Sequence, residues 1–222
     1  MEKHEAHVRY SAKDYDDYTA KSVGKFDALL ADRIVEEAAG RAGLTLLDIG
    51  TGTARLLVYL ARIAALDNMR LIGTDVFEDM VESARDTVRA EGLADRIRLA
   101  VDDVHAMAVA DGSVDVIISR STIHHWSNPV LAFQEIFRVL RAGGIAIIHD
   151  VRRDPAPEAI AEFNRLRAEA GIGPSFLDEK FTVAEVEQFV RDAGLSEHAR
   201  VLAATKGFAA LGYALEIRKP VA

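Results

Sequence analysis

The 222-residue chain contains no cysteine. This absence excludes disulfides, thiolate metal sites and thiol nucleophiles together. It leaves the cellular compartment open, because a chain without cysteine is stable in reducing and oxidising surroundings alike.

Features of membrane and nucleic-acid proteins are also missing. No apolar run approaches the length of a membrane span, and residues 1–18 are too polar for a signal peptide. The formal net charge is -8 and no basic cluster is present, which argues against a nucleic-acid surface. We therefore expect a cytoplasmic protein with no nucleic-acid partner and no membrane insertion.

The most informative stretch that is present is a turn with two glycines. Residues 44–49 form a short apolar run that predicts a buried strand, and the apolar spacing of residues 56–64 predicts an amphipathic helix. Gly50 and Gly52 lie between them and allow a ligand to approach the backbone. The helix N-terminus offers unpaired N–H groups. This pattern is typical of the ligand-binding first turn of a doubly wound α/β fold.

The spacing of the glycines separates two classes of ligand. A dinucleotide site has the pattern G-x-G-x-x-G, but its third position is Arg55 here. The pattern that fits is acidic-x-G-x-G-x-small, with Asp48 before the glycines and Ala54 after them. It resembles motif I of the class I S-adenosylmethionine-dependent methyltransferases, where the turn holds the methionine part of the cofactor. That family usually has a third glycine at the position of Ala54.

Two further carboxylates follow predicted strands. The strand at residues 70–74 ends at Asp75, which is placed to accept hydrogen bonds from ribose hydroxyls. The alternative is that Asp75 caps the next helix. After the strand at residues 96–101, the resemblance implies that Asp103 accepts from the adenine amine and that the Val104 N–H meets a ring nitrogen.

A second match covers residues 114–148. A strand, a His-rich loop, the run Glu135–Leu140 with Gly143-Gly144, and another strand resemble the family pattern E-I-x-R-V-L-x-x-G-G. We expect a helix over residues 130–140, stopped by residues 141–144. The resemblance extends over residues 44–218 and is to the ubiquinone/menaquinone-biosynthesis-like (type 11) group.

The resemblance implies a set of site residues. Those expected to bind the cofactor are Asp48, Gly50, Thr51, Gly52, Asp75, Val76, Met80, Asp103, Val104 and Arg120. Those expected to contact the substrate are Tyr18, His124, Trp126 and His149. His125 is expected to act as the base, since the family often has histidine there, although loop packing is an alternative for both histidines. A His149–Asp150 pair is doubtful because adjacent strand residues point to opposite sides, and no metal site is predicted.

The predicted fold is α/β: a doubly wound, Rossmann-like, seven-stranded sheet, mostly parallel with the last strand antiparallel. We expect one methyltransferase domain over residues 1–222. Its predicted parts are an N-terminal helical cap (1–43), a cofactor-binding core (44–151), a substrate-pocket insertion (152–181), and a terminal helix with strands (182–222).

The predicted function is transfer of a methyl group from S-adenosylmethionine to a small-molecule acceptor by in-line displacement, leaving S-adenosylhomocysteine. Two alternatives stay open: a non-catalytic S-adenosylmethionine-binding protein and a nicotinamide-dependent oxidoreductase. The sequence does not determine the acceptor or the atom that is methylated. It also does not determine whether the chain forms a homo-oligomer.

Overall fold

A seven-stranded sheet forms the centre of the computed structural model, which describes residues 24–169, 171, 177–206 and 208–221. The strands are β1 (Thr45–Ile49), β2 (Arg70–Asp75), β3 (Ile97–Val101), β4 (Val114–Arg120), β5 (Leu140–Val151), β6 (Ala199–Leu202) and β7 (Gly212–Arg218). Their order across the sheet is β3-β2-β1-β4-β5-β7-β6. The first five strands pair in parallel, whereas β7 is antiparallel to β5 and β6. The predicted fold class is confirmed.

Helices cover both faces of the sheet. They are α1 (Gly24–Ala38), α2 (Arg55–Ala61), α3 (Glu78–Ala90), α4 (Pro129–Val139), α5 (Pro157–Glu169) and α6 (Val183–Asp192). Helices α1, α2 and α3 pack on one face, in a core that includes Leu46 of β1 and Ile118 of β4. Helices α4 and α6 pack on the other face, against residues such as Leu47 and Ile117. This division follows from the alternation of side chains along each strand.

Strands β1 and β4 are buried because they are central and covered on both faces, and their sequences are correspondingly apolar. The carboxyl ends of β1, β2, β3, β4 and β5 meet at one edge of the sheet, since these strands are parallel. The polar residues singled out in the sequence follow these ends. Within the residues described, no helix has the length and apolarity that crossing a membrane requires.

The predicted glycine stop after α4 requires a correction. The helix ends at Val139, and residues 141–144 already belong to β5. Leu140 has extended backbone angles, so the chain passes from helix to strand without a loop. A Cβ on Gly144 would lie 2.9 Å from the carbonyl oxygen of Asp115. This glycine therefore permits close approach of two strands.

The C-terminal strands are shorter than predicted. The sequence suggests strands over residues 196–203 and 208–217, but residues 208–211 form a 3-10 turn and β7 begins at Gly212. A Cβ on Gly212 would lie 2.5 Å from the Asp150 carbonyl oxygen, which explains glycine at this point. The spacing of Thr182 and Glu185 in the sequence predicts a capping box, and the structure confirms it at the start of α6.

Candidate cofactor and acceptor site

The glycine turn between β1 and α2 adopts left-handed backbone conformations. Gly50 has φ 70° and Gly52 has φ 54°, values that side chains disfavour. A Cβ on Gly50 would lie 2.5 Å from Cγ2 of Thr122, in the loop after β4. Ala54 also has φ 63°, although it is fully buried and carries a Cβ. The third small position therefore keeps a glycine-like conformation with alanine.

Asp48 is buried at the end of β1, beside this turn. Its Oδ2 accepts a hydrogen bond of 2.8 Å from the Thr51 hydroxyl. Burial raises the pKa of Asp48 to about 7, against the opposing effects of that hydrogen bond and of Arg120. Because this pKa lies close to neutral pH, a charged ligand can change the protonation state of the carboxyl group.

A shallow cleft, open to solvent, lies over the turn. Its lining residues come from the glycine turn, the start of α2 and the end of β4: Asp48, Gly50, Thr51, Thr53, Arg55, Leu56 and Arg120. Backbone groups, the carboxyl group of Asp48 and two arginines, Arg55 and Arg120, thus surround the same space. Such a set of donors suits a ligand that carries both an ammonium and a carboxylate group.

Asp75, at the end of β2, is tied to the glycine turn. Its Oδ2 accepts from the backbone N–H of Gly52 at 2.9 Å, and its Oδ1 accepts from that of Phe77 at 3.1 Å. The residue that caps α3 is Phe77, so the capping alternative for Asp75 is wrong. Burial raises the pKa of Asp75. Each carboxylate oxygen has a second lone pair that can accept from a ribose hydroxyl.

Two predicted cofactor residues, Val76 and Met80, follow Asp75 in the chain. Val76 is about half exposed, with 48% of its surface accessible, and Met80 is partly exposed in the first turn of α3. An exposed apolar side chain beside a buried carboxylate is compatible with contact to a flat ring.

The loop after β3 contains a histidine that sequence reasoning missed. Nδ1 of His105 lies 2.6 Å from Oδ1 of Asp103. The backbone N–H of Asn128 donates to Nε2 of the same ring at 3.2 Å. Because Nε2 accepts, we assign the proton to Nδ1, which donates to Asp103. His105 therefore orients Asp103 and connects the loops after β3 and β4, while Val104 beside it is buried.

Arg120, at the end of β4, faces a carboxylate on α1. Its Nε lies 2.9 Å from Oδ1 of Asp27, but these two buried atoms are not aligned for a hydrogen bond. Burial raises the pKa of Asp27, and Arg120 partly offsets that shift. Both groups therefore retain hydrogen-bonding capacity toward a ligand in the cleft. Asp27 was not singled out in the sequence because a single acidic residue on a helix gives no signal.

His149 pairs with Arg120 in the register of β4 and β5 and lies on the same face of the sheet. Burial, together with the positive charge of Arg120, lowers the pKa of His149 to about 4. The imidazole is thus neutral near pH 7. It lies on the same side of the sheet as Asp48 and α1, whereas Asp150 points to the opposite side.

Asp150 forms its contact with His124 instead of His149. Nδ1 of His124 lies 2.6 Å from Oδ2 of Asp150, and both side chains are buried. Nζ of Lys180 lies 2.6 Å from Nε2 of His124 and 3.8 Å from Oδ1 of Asp150. Burial raises the pKa of Asp150, but His124 and Lys180 outweigh it and hold the pKa below its ordinary value.

The other predicted substrate residues are more scattered. His125 is exposed, and its ring centroid lies 3.9 Å from that of His124. Trp126 is buried and packs edge-on against Phe133 at 6.1 Å. Tyr18 lies outside the described residues. Within the described part of the chain, no group of three or more His, Asp or Glu side chains could hold a metal ion.

Comparison with known proteins agrees with this geometry. Residues 47–148 match the family model described as "Methyltransferase domain". This region contains the glycine turn, Asp75, Asp103 and the His-rich loop. Asp150 and Lys180, which contact His124, lie beyond it.

Two curated relatives share a part of their length with this chain. The 27-O-demethylrifamycin SV methyltransferase of Amycolatopsis mediterranei is 29% identical over 167 residues, which are 75% of this chain and 59% of the relative. The ubiquinone biosynthesis O-methyltransferase of a Ruegeria species is 30% identical over 145 residues, 65% of this chain and 54% of the relative. The chain therefore spans less than two thirds of the length of these relatives.

A solved structure shows the same fold over nearly the whole chain. The SAM-dependent methyltransferase from Aquifex aeolicus superimposes with a TM-score of 0.67, at 21% identity, covering 94% of this chain and 98% of that one. The sheet order, the glycine turn and the family match point to one conclusion. Residues 47–148 match a methyltransferase domain, and the chain resembles the class I S-adenosylmethionine-dependent methyltransferases, in particular the ubiquinone- and menaquinone-biosynthesis group.

Proposed function

We propose that this protein binds S-adenosylmethionine and transfers its methyl group to a small-molecule acceptor. The observation that carries the proposal is the hydrogen bond from the Gly52 N–H to Asp75. It places the turn expected to hold the methionine part of the cofactor beside the carboxylate expected to hold the ribose. A family match that includes both residues supports the same assignment.

The residues of the cleft fit the cofactor. Asp48 would attract the ammonium group, Arg120 the carboxylate, and the backbone at Gly50, Thr51 and Gly52 would approach the methionine chain. Their charges are opposite to those of the ligand groups, and the positive φ angles keep side chains away from the contact.

The nucleoside part of the cofactor would lie along the ends of β2 and β3. Asp75 would accept from the ribose hydroxyls, with Val76 and Met80 beside the adenine ring. Asp103 would accept from the adenine amine, and the backbone N–H of Val104 would donate to a ring nitrogen. A carboxylate next to a backbone N–H complements an amino group next to a ring nitrogen.

The cofactor supplies an electrophilic methyl group on a sulfonium sulfur, so the protein needs to position a nucleophile and exclude water. A base is needed only when the acceptor arrives protonated. His124 is the candidate base: Nδ1 would donate to Asp150, and Nε2, which lies 2.6 Å from Nζ of Lys180, would take the proton once that ammonium group turns away. His125, the base expected from the sequence, is the alternative on the same loop.

The proximity of His124 to the cofactor turn supports this role. Thr122, two residues before His124, lies so close to Gly50 that a Cβ on the glycine would overlap it. The Ser119 hydroxyl donates to the carbonyl oxygen of Ile49 at 2.7 Å and contacts Thr122. The loop is thereby held against the turn, so that His124 would lie near the boundary between cofactor and acceptor.

Formation of S-adenosylhomocysteine tests the proposed function. Purified protein would be incubated with methyl-labelled S-adenosylmethionine and a panel of phenols, enols, carboxylic acids, amines and thiols. Acceptor-dependent S-adenosylhomocysteine and a labelled product would support it. Tight binding of S-adenosylmethionine without turnover on any acceptor would favour a non-catalytic binding protein instead.

A further inference from the structure

The buried cluster around His124 contains more charge than a simple base requires. Asp150 alone fixes the proton on Nδ1 of His124, at 2.6 Å. Lys180 adds an ammonium group that lies closer to Nε2 of His124, at 2.6 Å, than to the nearest Asp150 oxygen, at 3.8 Å. Nζ also lies 3.1 Å from Nδ1, so the ammonium group contacts the imidazole ring beside both of its nitrogens. A lysine present only to neutralise Asp150 would be expected in direct contact with the carboxylate.

The backbone of Lys180 is fixed, whereas its side chain is long. Its N–H donates to the carbonyl oxygen of Leu177 at 2.9 Å, and its own carbonyl oxygen accepts from the Arg153 guanidinium at 3.1 Å. Arg153 also donates its backbone N–H to Phe181 at 3.1 Å. The four methylene groups of Lys180 can therefore move the ammonium by a short distance while the loop stays in place.

Tyr213 adds a polar group to the same cluster. It lies directly opposite Asp150 in the antiparallel register of β5 and β7, so the two side chains share one face of the sheet. The phenol is 4% exposed, and its hydroxyl has no hydrogen-bond partner among the described residues. Burying a hydroxyl group without a hydrogen-bond partner lowers the stability of the fold, unless a bound ligand supplies that partner.

We propose that Lys180 and Tyr213 form an oxyanion pocket beside His124, and that the acceptor reacts through an acidic hydroxyl group of a phenol, an enol or a carboxylic acid. This inference rests on the proposed methyltransferase function and specifies its substrate class. The ammonium and the phenol are the two donors that would bind the ionised oxygen. Amines protonated at neutral pH are disfavoured, because their positive charge would face that of Lys180.

The proton transfer is balanced within this cluster. The acceptor O–H bond breaks, its electron pair stays on oxygen, and the proton bonds to Nε2 of His124. The imidazolium is stabilised by Asp150, and the oxyanion is stabilised by Lys180 and Tyr213. Lys180 thereby exchanges a neutral imidazole partner for an anionic oxygen, which binds an ammonium group more strongly.

The experiment uses 4-nitrophenol, whose phenolate absorbs at a longer wavelength than the phenol. At a pH where most of the free probe is protonated, titration with the wild-type protein should increase the phenolate absorbance. Lys180→Met should weaken phenolate binding about 10- to 100-fold, the usual effect of losing a hydrogen bond to a charged group. Tyr213→Phe should weaken it about 2- to 10-fold. Lys180→Arg, which keeps the charge, should retain part of the signal.

Matched controls separate these effects from general damage. Lys206→Met and Tyr59→Phe alter an exposed lysine and an exposed tyrosine, and they should bind the phenolate as the wild type does. S-adenosylhomocysteine binding by calorimetry should be unchanged in every variant, which also shows that each one is folded.

Two results would overturn the proposal: no phenolate signal with the wild type, or an equal signal with Lys180→Met. The titration is run with and without S-adenosylhomocysteine. Failure of the wild type to bind S-adenosylhomocysteine would instead count against the proposed function. The two failures are therefore distinguishable.

Discussion

The backbone N–H of Gly52 donates to Oδ2 of Asp75 at 2.9 Å, across 23 positions of the sequence. This single hydrogen bond joins the turn after β1 to the end of β2. Asp75 also accepts from Phe77, so its carboxylate is held on both sides. The orientation of the carboxylate is thus set before any ligand binds, which lowers the cost of ordering the site.

Gly52→Val should abolish binding of S-adenosylmethionine. A β-branched side chain at φ 54° is strained and projects from the turn that the ligand approaches. Gly92→Val is the matched control, because Gly92 has φ 69°, is exposed and lies after α3, away from the cleft. Strain should lower the free energy of unfolding by about 1–3 kcal/mol in both variants. Calorimetry should show lost affinity only for Gly52→Val, and unchanged affinity would contradict the assignment of the turn.

Asp75→Ala should weaken cofactor binding by roughly 1–3 kcal/mol, the usual cost of removing the partner of buried polar groups. The variant leaves the N–H groups of Gly52 and Phe77 without their acceptor, so some loss of stability is expected too. Asp79→Ala, at an exposed site in the first turn of α3, is the control. Equal affinities for the two variants, measured by titration calorimetry, would exclude Asp75 from the cofactor site.

Asp48 should make stability depend on pH. Its pKa is raised from 3.8 to about 7 by burial, so the folded protein holds a proton that the unfolded chain releases. The contribution is therefore fully present below about pH 4 and is lost as the pH rises toward 7, by up to about 4 kcal/mol. Asp48→Asn should flatten this part of the profile.

Urea unfolding of the wild type and Asp48→Asn between pH 4 and 8 measures the difference directly. Asp95→Asn, at an exposed position, should leave the profile unchanged. Parallel profiles for the wild type and Asp48→Asn would show that Asp48 does not titrate in this range.

The two adjacent histidines should differ in their effect on turnover. His124→Gln removes the imidazole that contacts Asp150 and Lys180, and it should lower the turnover rate about 10²- to 10⁴-fold, the usual contribution of a general base. Its affinity for S-adenosylmethionine should stay close to that of the wild type. His125→Gln is the matched variant on the exposed neighbour. A larger loss of turnover in His125→Gln would identify His125, the base predicted from the sequence, as the general base.

The sequence predicts the parts of the site that depend on local backbone. Gly50 and Gly52 are required because the turn has positive φ angles and Thr122 packs directly against Gly50. The apolar runs predict β1 and β4 because both strands are buried on two faces. The spacing Thr182 to Glu185 predicts the start of α6, since a capping box is local.

The long-range contacts of the site have no local signal. Lys180 meets His124 across 56 positions, and Arg120 meets Asp27 across the packing of α1 on the sheet. A single lysine or aspartate on a polar stretch is usually solvated, so nothing in the pattern distinguishes these two. The extent of β5 was also misjudged, because Gly143 and Gly144 resemble a helix stop yet lie within the strand.

The central claim is that the cleft over the glycine turn binds S-adenosylmethionine. The most direct measurement is calorimetric titration of the wild-type protein with S-adenosylmethionine, S-adenosylhomocysteine and NADH in parallel. The account predicts saturable binding of the first two ligands, lost in Gly52→Val and weakened in Asp75→Ala, with no heat of binding for NADH. Binding of NADH alone would contradict it and would favour a nicotinamide-dependent oxidoreductase.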